Sequence, residues 1–246
     1  MTELYLNNIC SIRDLSPWTN LQVLNCGGSC SGIEQNAISR LNLYELDMSY
    51  NKNIKNVSFM TNLKILKCAG SVIDDNGIVG LDLIELDISR NHLITDLSFM
   101  KNLKKLVCRE HSIKQSGIEK LNLIELDARD NPYVYDVSHM TNLRILNCSN
   151  LYDDWKCGID QEGIRNLMLE EINCSNNKKI IDLSHIISLK KITSYGNSPF
   201  LPNNSNLELH LYKPELPPEN ENLFITLCVS LLRLICCCDN SYVSLH

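Results

Sequence analysis

The amino-acid sequence predicts an arc-shaped α/β repeat solenoid, with a parallel β-sheet on its concave face and short helical turns or extended segments on its convex face. Three observations predict this fold. A leucine recurs at nearly constant spacing, apolar and polar residues alternate after it, and asparagine is abundant, with 38 Leu and 29 Asn in 246 residues. Such a composition favours many short strands joined by turns over a few long helices.

The leucine spacing sets the length of the repeat. Intervals of 20 residues separate most of the aligned leucines, with one interval of 22 and one of 26. The aligned positions are Leu21, Leu43, Leu63, Leu83, Leu103, Leu123, Leu143, Leu169 and Leu189. Two kinds of repeat alternate, one reading Leu-x-x-Leu-x-Cys and the other Leu-x-Glu-Leu-Asp followed by Asn. We therefore expect about ten turns over residues 1–195.

Alternation along each strand sends every second side chain inward, and stacked strands then share one apolar interior. The first kind of repeat places a cysteine in an inward position. These cysteines are Cys26, Cys68, Cys108 and Cys148. Because they stand on alternate strands, their spacing of about 9 to 10 Å exceeds the reach of a disulfide. We expect small apolar side chains in a column, not a metal or redox site.

A second column consists of asparagines that close the other kind of repeat. Its members are Asn51, Asn91, Asn131 and Asn177. The side-chain amides are expected to satisfy backbone groups where the chain leaves each strand. Large apolar residues are expected to fill the side away from the sheet, namely Phe59, Met60, Phe99, Met100 and Met140.

The pattern Leu-x-x-Leu-x-Leu/Cys-x-x-Asn, at intervals of 20 to 22 residues, resembles the leucine-rich repeat. This resemblance implies a horseshoe whose concave sheet face binds a partner. The phrase from Ile12 to Pro17 before Asn20-Leu21 is similar to the short repeats of bacterial internalins, and Cys with Gly-Ile resembles the cysteine-containing subclass. The abundance of asparagine and the alternation of two kinds of repeat are similar to those of repeat proteins from giant DNA viruses. This resemblance would imply that the protein is located in the host cytoplasm.

Charge and composition narrow the class of function. With 23 Lys+Arg against 29 Asp+Glu, the formal net charge is −6, which argues against general nucleic-acid binding. No basic segment followed by an apolar run opens the sequence, so a cytoplasmic protein with reduced thiols is expected. The six histidines are scattered, and no phosphate loop or nucleophile elbow is present. We expect neither enzymatic activity nor a cofactor or metal.

The concave face offers the strongest candidate for function, since the residues that flank the second leucine of each repeat face solvent there. The candidate site comprises Glu45, Asp47, Ile65, Lys67, Glu85, Asp87, Lys105, Val107, Arg109, Glu125, Asp127 and Ile145. Exposed Ile65, Val107 and Ile145 among charges would suit a protein partner, here a basic segment. The alternative is that opposite charges on neighbouring strands pair and only keep the face soluble.

One repeat carries an insertion within residues 149–160. Tyr152 and Trp155 lie on it, and aromatic residues exposed on a loop are common anchors for a partner. Trp155 could equally pack back onto the array, which would give the insertion a structural role.

Periodicity fades after residue 195. Residues 196–222 are rich in Pro and Asn and read as an irregular segment, with a last strand at 207–211. Residues 223–246 are apolar and rich in cysteine. A helix that caps the open end of the solenoid is one reading. The other uses Cys236, Cys237 and Cys238 as acylation sites, so that residues 223–238 tether an adaptor to a membrane.

Overall fold

A computed structural model describes residues 2–110, 112–151, 157–197 and 199–211. In these residues eleven strands of three residues pair in sequence order, every neighbouring pair parallel, in one sheet. The strands are β1 (Glu3–Tyr5), β2 (Val23–Asn25), β3 (Glu45–Asp47), β4 (Ile65–Lys67), β5 (Glu85–Asp87), β6 (Lys105–Val107), β7 (Glu125–Asp127), β8 (Ile145–Asn147), β9 (Glu171–Asn173), β10 (Lys191–Thr193) and β11 (Glu208–His210).

The register of the sheet follows the leucine repeat. Leu24 pairs with Leu46, Leu46 with Leu66, and the column continues in the same way to Ile192. From β2 to β10 the central residue of every strand is buried, with at most 2% of its surface exposed. The predicted α/β repeat solenoid with leucine-rich-repeat-like turns is therefore confirmed, and we call each turn of it a rung.

Inward-facing side chains also follow each strand directly. This column reads Cys26, Met48, Cys68, Ile88, Cys108, Ala128, Cys148 and Cys174, and all of its members are buried. The thiol of Cys157 lies next to the smallest member, with its Sγ 3.4 Å from the Ala128 carbonyl oxygen. The eight cysteines of the described residues are free thiols, as predicted.

Burial raises the pKa of six of these thiols and so disfavours the reactive thiolate. It raises the pKa of Cys26 and of Cys157 to about 12, and it raises the pKa of Cys108 well above the usual value. In native protein at pH 8, we expect iodoacetamide to modify the exposed Cys10 and Cys30 while the buried thiols stay unmodified. Peptide mass spectrometry measures this, with protein alkylated in urea as the control. Native labelling of Cys108 as fast as that of Cys30 would contradict it.

The predicted asparagine column is confirmed. Asn131 is fully buried, and its amide donates to the carbonyl oxygens of Cys108 (2.9 Å) and Ile113 (3.1 Å) in the preceding rung. Its Oδ1 accepts the Tyr133 backbone N–H at 3.0 Å. Asn51 and Asn177 make equivalent bonds, whereas Asn91 donates to the Ile73 carbonyl oxygen (3.0 Å) and to Ser71 Oγ (3.4 Å). Each asparagine thus shapes its own turn and fastens that turn to the rung before it.

The side away from the sheet carries short helical turns, as predicted. These are the α-helices α1 (Gln35–Ile38) and α2 (Asp75–Ile78) and the 3₁₀ helices Gln115–Gly117 and Glu162–Ile164. A glycine near the end of three of these turns lies against the preceding rung. The carbonyl oxygens of Gly77, Gly117 and Gly163 accept backbone N–H bonds from Val57, Leu97 and Val137 at 2.9 to 3.0 Å. This glycine column joins successive rungs opposite the sheet.

Large residues on that side only partly follow the expectation. Met60, Met100 and Met140 are buried, and Phe99 packs against the core while half-buried. Phe59 was expected to fill the interior, but 40% of its surface is exposed. The methionine beside each phenylalanine occupies the inward position, so Phe59 lies at the surface and Phe99 reaches the core only in part.

The last strand of the described residues, β11, lies within the range 207–211 and pairs with β10. Its three residues are all exposed, in contrast to the buried centres of the inner strands. The segment 212–246 lies outside the described residues. The predictions of a cap helix at 223–246 and of a membrane tether at 223–238 therefore concern residues that the structure does not describe.

Candidate protein-interaction surface

Two outward side chains from each strand form the surface that we call the sheet face. They stand in two rows, because the strands are in register and alternate residues point to the same side. From β3 to β8 the first row reads Glu45, Ile65, Glu85, Lys105, Glu125, Ile145, and the second reads Asp47, Lys67, Asp87, Val107, Asp127, Asn147. All are half-buried except Asp127, which is 8% exposed. The structure thus places eleven of the twelve predicted site residues in these rows.

The twelfth, Arg109, follows β6 and reaches the same surface. Its Nη2 lies 2.6 Å from Oδ2 of Asp127 on the next strand. Two lysines form similar pairs across neighbouring strands, with Lys67 Nζ 3.0 Å from Glu45 Oε1 and Lys105 Nζ 2.8 Å from Glu125 Oε1. The expected pairing of opposite charges is confirmed for these three pairs. Partly exposed pairs of this kind each stabilise a fold by only about 0 to 1 kcal/mol.

The lysine of β4 is held in its charged form. The hydrogen bond to Glu45 is the main reason that the pKa of Lys67 is raised, and the nearby carboxylates of Asp47 and Glu85 add to the effect. Its positive charge is therefore a fixed feature of the sheet face at physiological pH.

Aspartates of the second row also shape the turn that follows each strand. Oδ1 of Asp47, Asp87 and Asp127 accepts the backbone N–H two residues later at 2.9 to 3.1 Å. Asn147 and Asn173 make the same bond in β8 and β9. One carboxylate oxygen of each aspartate is thus engaged with the turn, and an asparagine can replace it there without loss of that bond.

The apolar members of the sheet face differ from the expectation. Ile65, Val107 and Ile145 were predicted to be exposed, but they are half-buried. Parallel strands lie about 4.8 Å apart, so the side chains on neighbouring strands cover the flanks of these branched residues. Their outer parts alone are available to a partner.

The sheet face continues beyond the candidate site predicted from the sequence, which ends at Ile145. A depression of about 260 Å³ continues from Glu125 and Ile145 toward the last strands. Its further lining includes Glu171, Asn173, Lys191 and Thr193. These four residues can be identified from the sequence, since they occupy the same two outward positions in β9 and β10.

The insertion is described only at its ends. The Leu151 backbone N–H donates to Oδ1 of Asp130 at 2.8 Å, and the Cys157 N–H donates to Oδ1 of Asn150. Tyr152 and Trp155, predicted as anchors for a partner, lie outside the described residues. Whether Trp155 packs onto the array stays a prediction.

The described residues contain neither a group of metal-ligand side chains nor a membrane-spanning helix. No three or more His, Cys, Asp or Glu side chains there are grouped so that they could hold a metal ion. Within the same ranges, helices long and apolar enough to cross a membrane are absent.

Comparison with known proteins gives a likeness of structure only. No family model matches the sequence, and no curated protein matches it. Among similar solved structures is the functional domain of InlJ from Listeria monocytogenes, which is described as including a cysteine ladder. The identity is 17% and the TM-score 0.29, over 79% of this chain and 59% of that chain. The chain therefore spans less than two thirds of that neighbour. Nothing in these comparisons bears on the similarity to viral repeat proteins, which stays a prediction.

Proposed function

We propose that this protein is a non-enzymatic interaction scaffold whose sheet face binds another protein. The observation that carries the proposal is the mixture of partly exposed apolar and charged side chains at regular spacing from β3 to β8. Surfaces that bind proteins combine apolar anchors with a polar surround in this way. The predicted lack of a cofactor and of catalytic residues belongs to the same proposal, as does a location in the cytoplasm.

The backbone of the array supports this role because it presents the face in a fixed form. The asparagine column fastens every second junction between rungs beside the strands, and the glycine column fastens the junctions in between on the opposite side. A preformed surface loses little conformational entropy on binding. A partner therefore meets side chains that are already spaced by the sheet.

Site-specific photo-crosslinking tests the proposal. We expect benzoylphenylalanine at position 107 or 193, both on the sheet face, to crosslink a protein in an extract of the native cells. The same group at position 59, on the opposite side of the array, serves as the matched control because Phe59 is an exposed aromatic residue. The crosslinked protein is identified by mass spectrometry, purified, and titrated against the full chain by calorimetry.

Each variant is first compared with the wild type by circular dichroism. The proposal is supported when the same protein is captured from positions 107 and 193 but not from 59, and when its binding is reproduced with purified components. Capture from position 59 alone, or no capture from the sheet face, overturns it.

The membrane-tethered adaptor remains a prediction from the sequence. It rests on residues 223–238, outside the described residues, and no observation on residues 2–211 favours it.

A further inference from the structure

The centre of the sheet face differs from the surface around it. Six outward side chains from β4, β5 and β6 line a depression of about 70 Å³. We call them the central patch, and they are Ile65, Lys67, Glu85, Asp87, Lys105 and Val107. Glu85 and Asp87 stand on the middle strand, with one apolar and one basic residue on each neighbouring strand.

The two lysines of the central patch pair with carboxylates outside it. Lys67 binds Glu45 on β3, and Lys105 binds Glu125 on β7. Within the described part of the chain, neither Glu85 nor Asp87 forms an ion pair, and Oδ1 of Asp87 accepts only the Ser89 backbone N–H, at 2.9 Å. The two carboxylates thus form no ion pair in the middle of the surface, because Lys67 and Lys105 on the neighbouring strands bind Glu45 and Glu125 instead. A basic side chain from a partner would complement them.

The apolar residues of the patch lie on a diagonal through these carboxylates. Ile65 precedes Glu85 in the first row, and Val107 follows Asp87 in the second. Two strands and two residues separate Ile65 from Val107, which corresponds to about 12 Å in a regular sheet. Residues four apart in an extended peptide are about 13 Å apart and point to the same side. An extended segment can therefore contact both.

We propose that the central patch binds an extended segment of a partner protein in which Lys or Arg is flanked by an apolar residue two positions before and two positions after it. The basic side chain lies between Glu85 and Asp87, and the two apolar side chains pack on Ile65 and Val107. This proposal rests on the function proposed above, since it specifies what the sheet face recognises.

Selection from a library of random ten-residue peptides, displayed with their coding RNA and panned against the full chain, tests the proposal. We expect the enriched peptides to share a basic residue with apolar residues at positions −2 and +2. Synthetic copies of three enriched peptides are then titrated by fluorescence anisotropy. A version with citrulline or norleucine in place of the basic residue removes the charge and is expected to bind at least tenfold more weakly.

A pair of protein variants locates the binding. The double variant Glu85→Gln, Asp87→Asn removes both charges, and Asn at 87 can keep the turn bond that Asn147 and Asn173 make. We expect it to lower the affinity at least tenfold. Glu119→Gln makes the same change at an exposed glutamate outside the sheet face and is expected to alter the affinity less than twofold. Circular dichroism checks that both variants are folded.

Two results overturn the proposal: enriched peptides without the basic residue and its spaced apolar neighbours, or equal binding by the double variant and the wild type. Failure to enrich any peptide also counts against it. The crosslinking experiment separates these failures from failure of the proposed function, because a partner captured from positions 107 and 193 leaves the scaffold role intact whatever sequence it presents.

Discussion

Replacement of Asn131 by Ala is expected to lower the free energy of unfolding by about 4 kcal/mol, because buried groups left without partners cost about 1 to 3 kcal/mol each. The substitution removes the amide that donates to Cys108 and Ile113 and the oxygen that accepts from Tyr133. Position 131 is fully buried, so water cannot replace these bonds without opening the array. Since whole domains are stable by only about 5 to 15 kcal/mol, the loss is large.

The position of Asn131 within the array increases this effect. Each rung contacts only its neighbours, so the terminal rungs of a solenoid can open without the rest. Asn131 follows β7, with six strands before that strand and four after it in the described residues. Loss of its bonds therefore weakens the junction between two long halves of the array.

Urea denaturation followed by circular dichroism measures the effect, and hydrogen exchange of peptides from 105–147 shows where the array opens. Asn142→Ala is the matched control, since Asn142 is exposed and its side chain makes no hydrogen bond with other described residues. We expect that control to stay within about 0.5 kcal/mol of the wild type. Equal loss of stability in both variants would contradict the role assigned to the buried amide.

Much of the fold could be predicted from the sequence because its main determinants repeat. A leucine every 20 residues fixes which side chain of each strand points inward, and the register from Leu24 to Ile192 follows from that alone. Asn131 could be assigned a role from its position, because an amide at the end of a strand has few partners other than the backbone. The same periodicity placed Glu85 and Asp87 on the outward side.

The rest of the structure depends on side-chain contacts that the spacing of residues in the sequence does not specify. Lys67 has acidic residues on both neighbouring strands, and only side-chain conformation decides that it binds Glu45 and leaves Glu85 without a pair. The half-burial of Ile65 likewise depends on how its neighbours pack across the sheet. The recurring Gly-Ile dipeptide can be read from the sequence. The reason that glycine is needed there depends on the path of the preceding rung, whose backbone passes close to each glycine.

Replacement of Gly117 by Ala is therefore expected to be the second strongly destabilising change, with a loss of about 3 kcal/mol, at the upper end of the usual cost of overpacking. A Cβ at this position would lie 2.3 Å from the backbone carbonyl oxygen of Thr95. That oxygen belongs to the main chain of the preceding rung and cannot rotate away. The two rungs must separate, which strains the bond from the Leu97 N–H to the Gly117 carbonyl oxygen.

Gly80→Ala distinguishes this contact from a simple loss of glycine flexibility. Gly80 has a φ of +79°, but a Cβ there would meet nothing within 4 Å. An alanine at position 80 thus carries only the backbone strain of a left-handed residue, about 1 kcal/mol. Thermal and urea unfolding of the two variants should rank Gly117→Ala as clearly less stable than Gly80→Ala. The reverse order would mean that backbone conformation, and not close approach between rungs, explains why glycine is required at position 117.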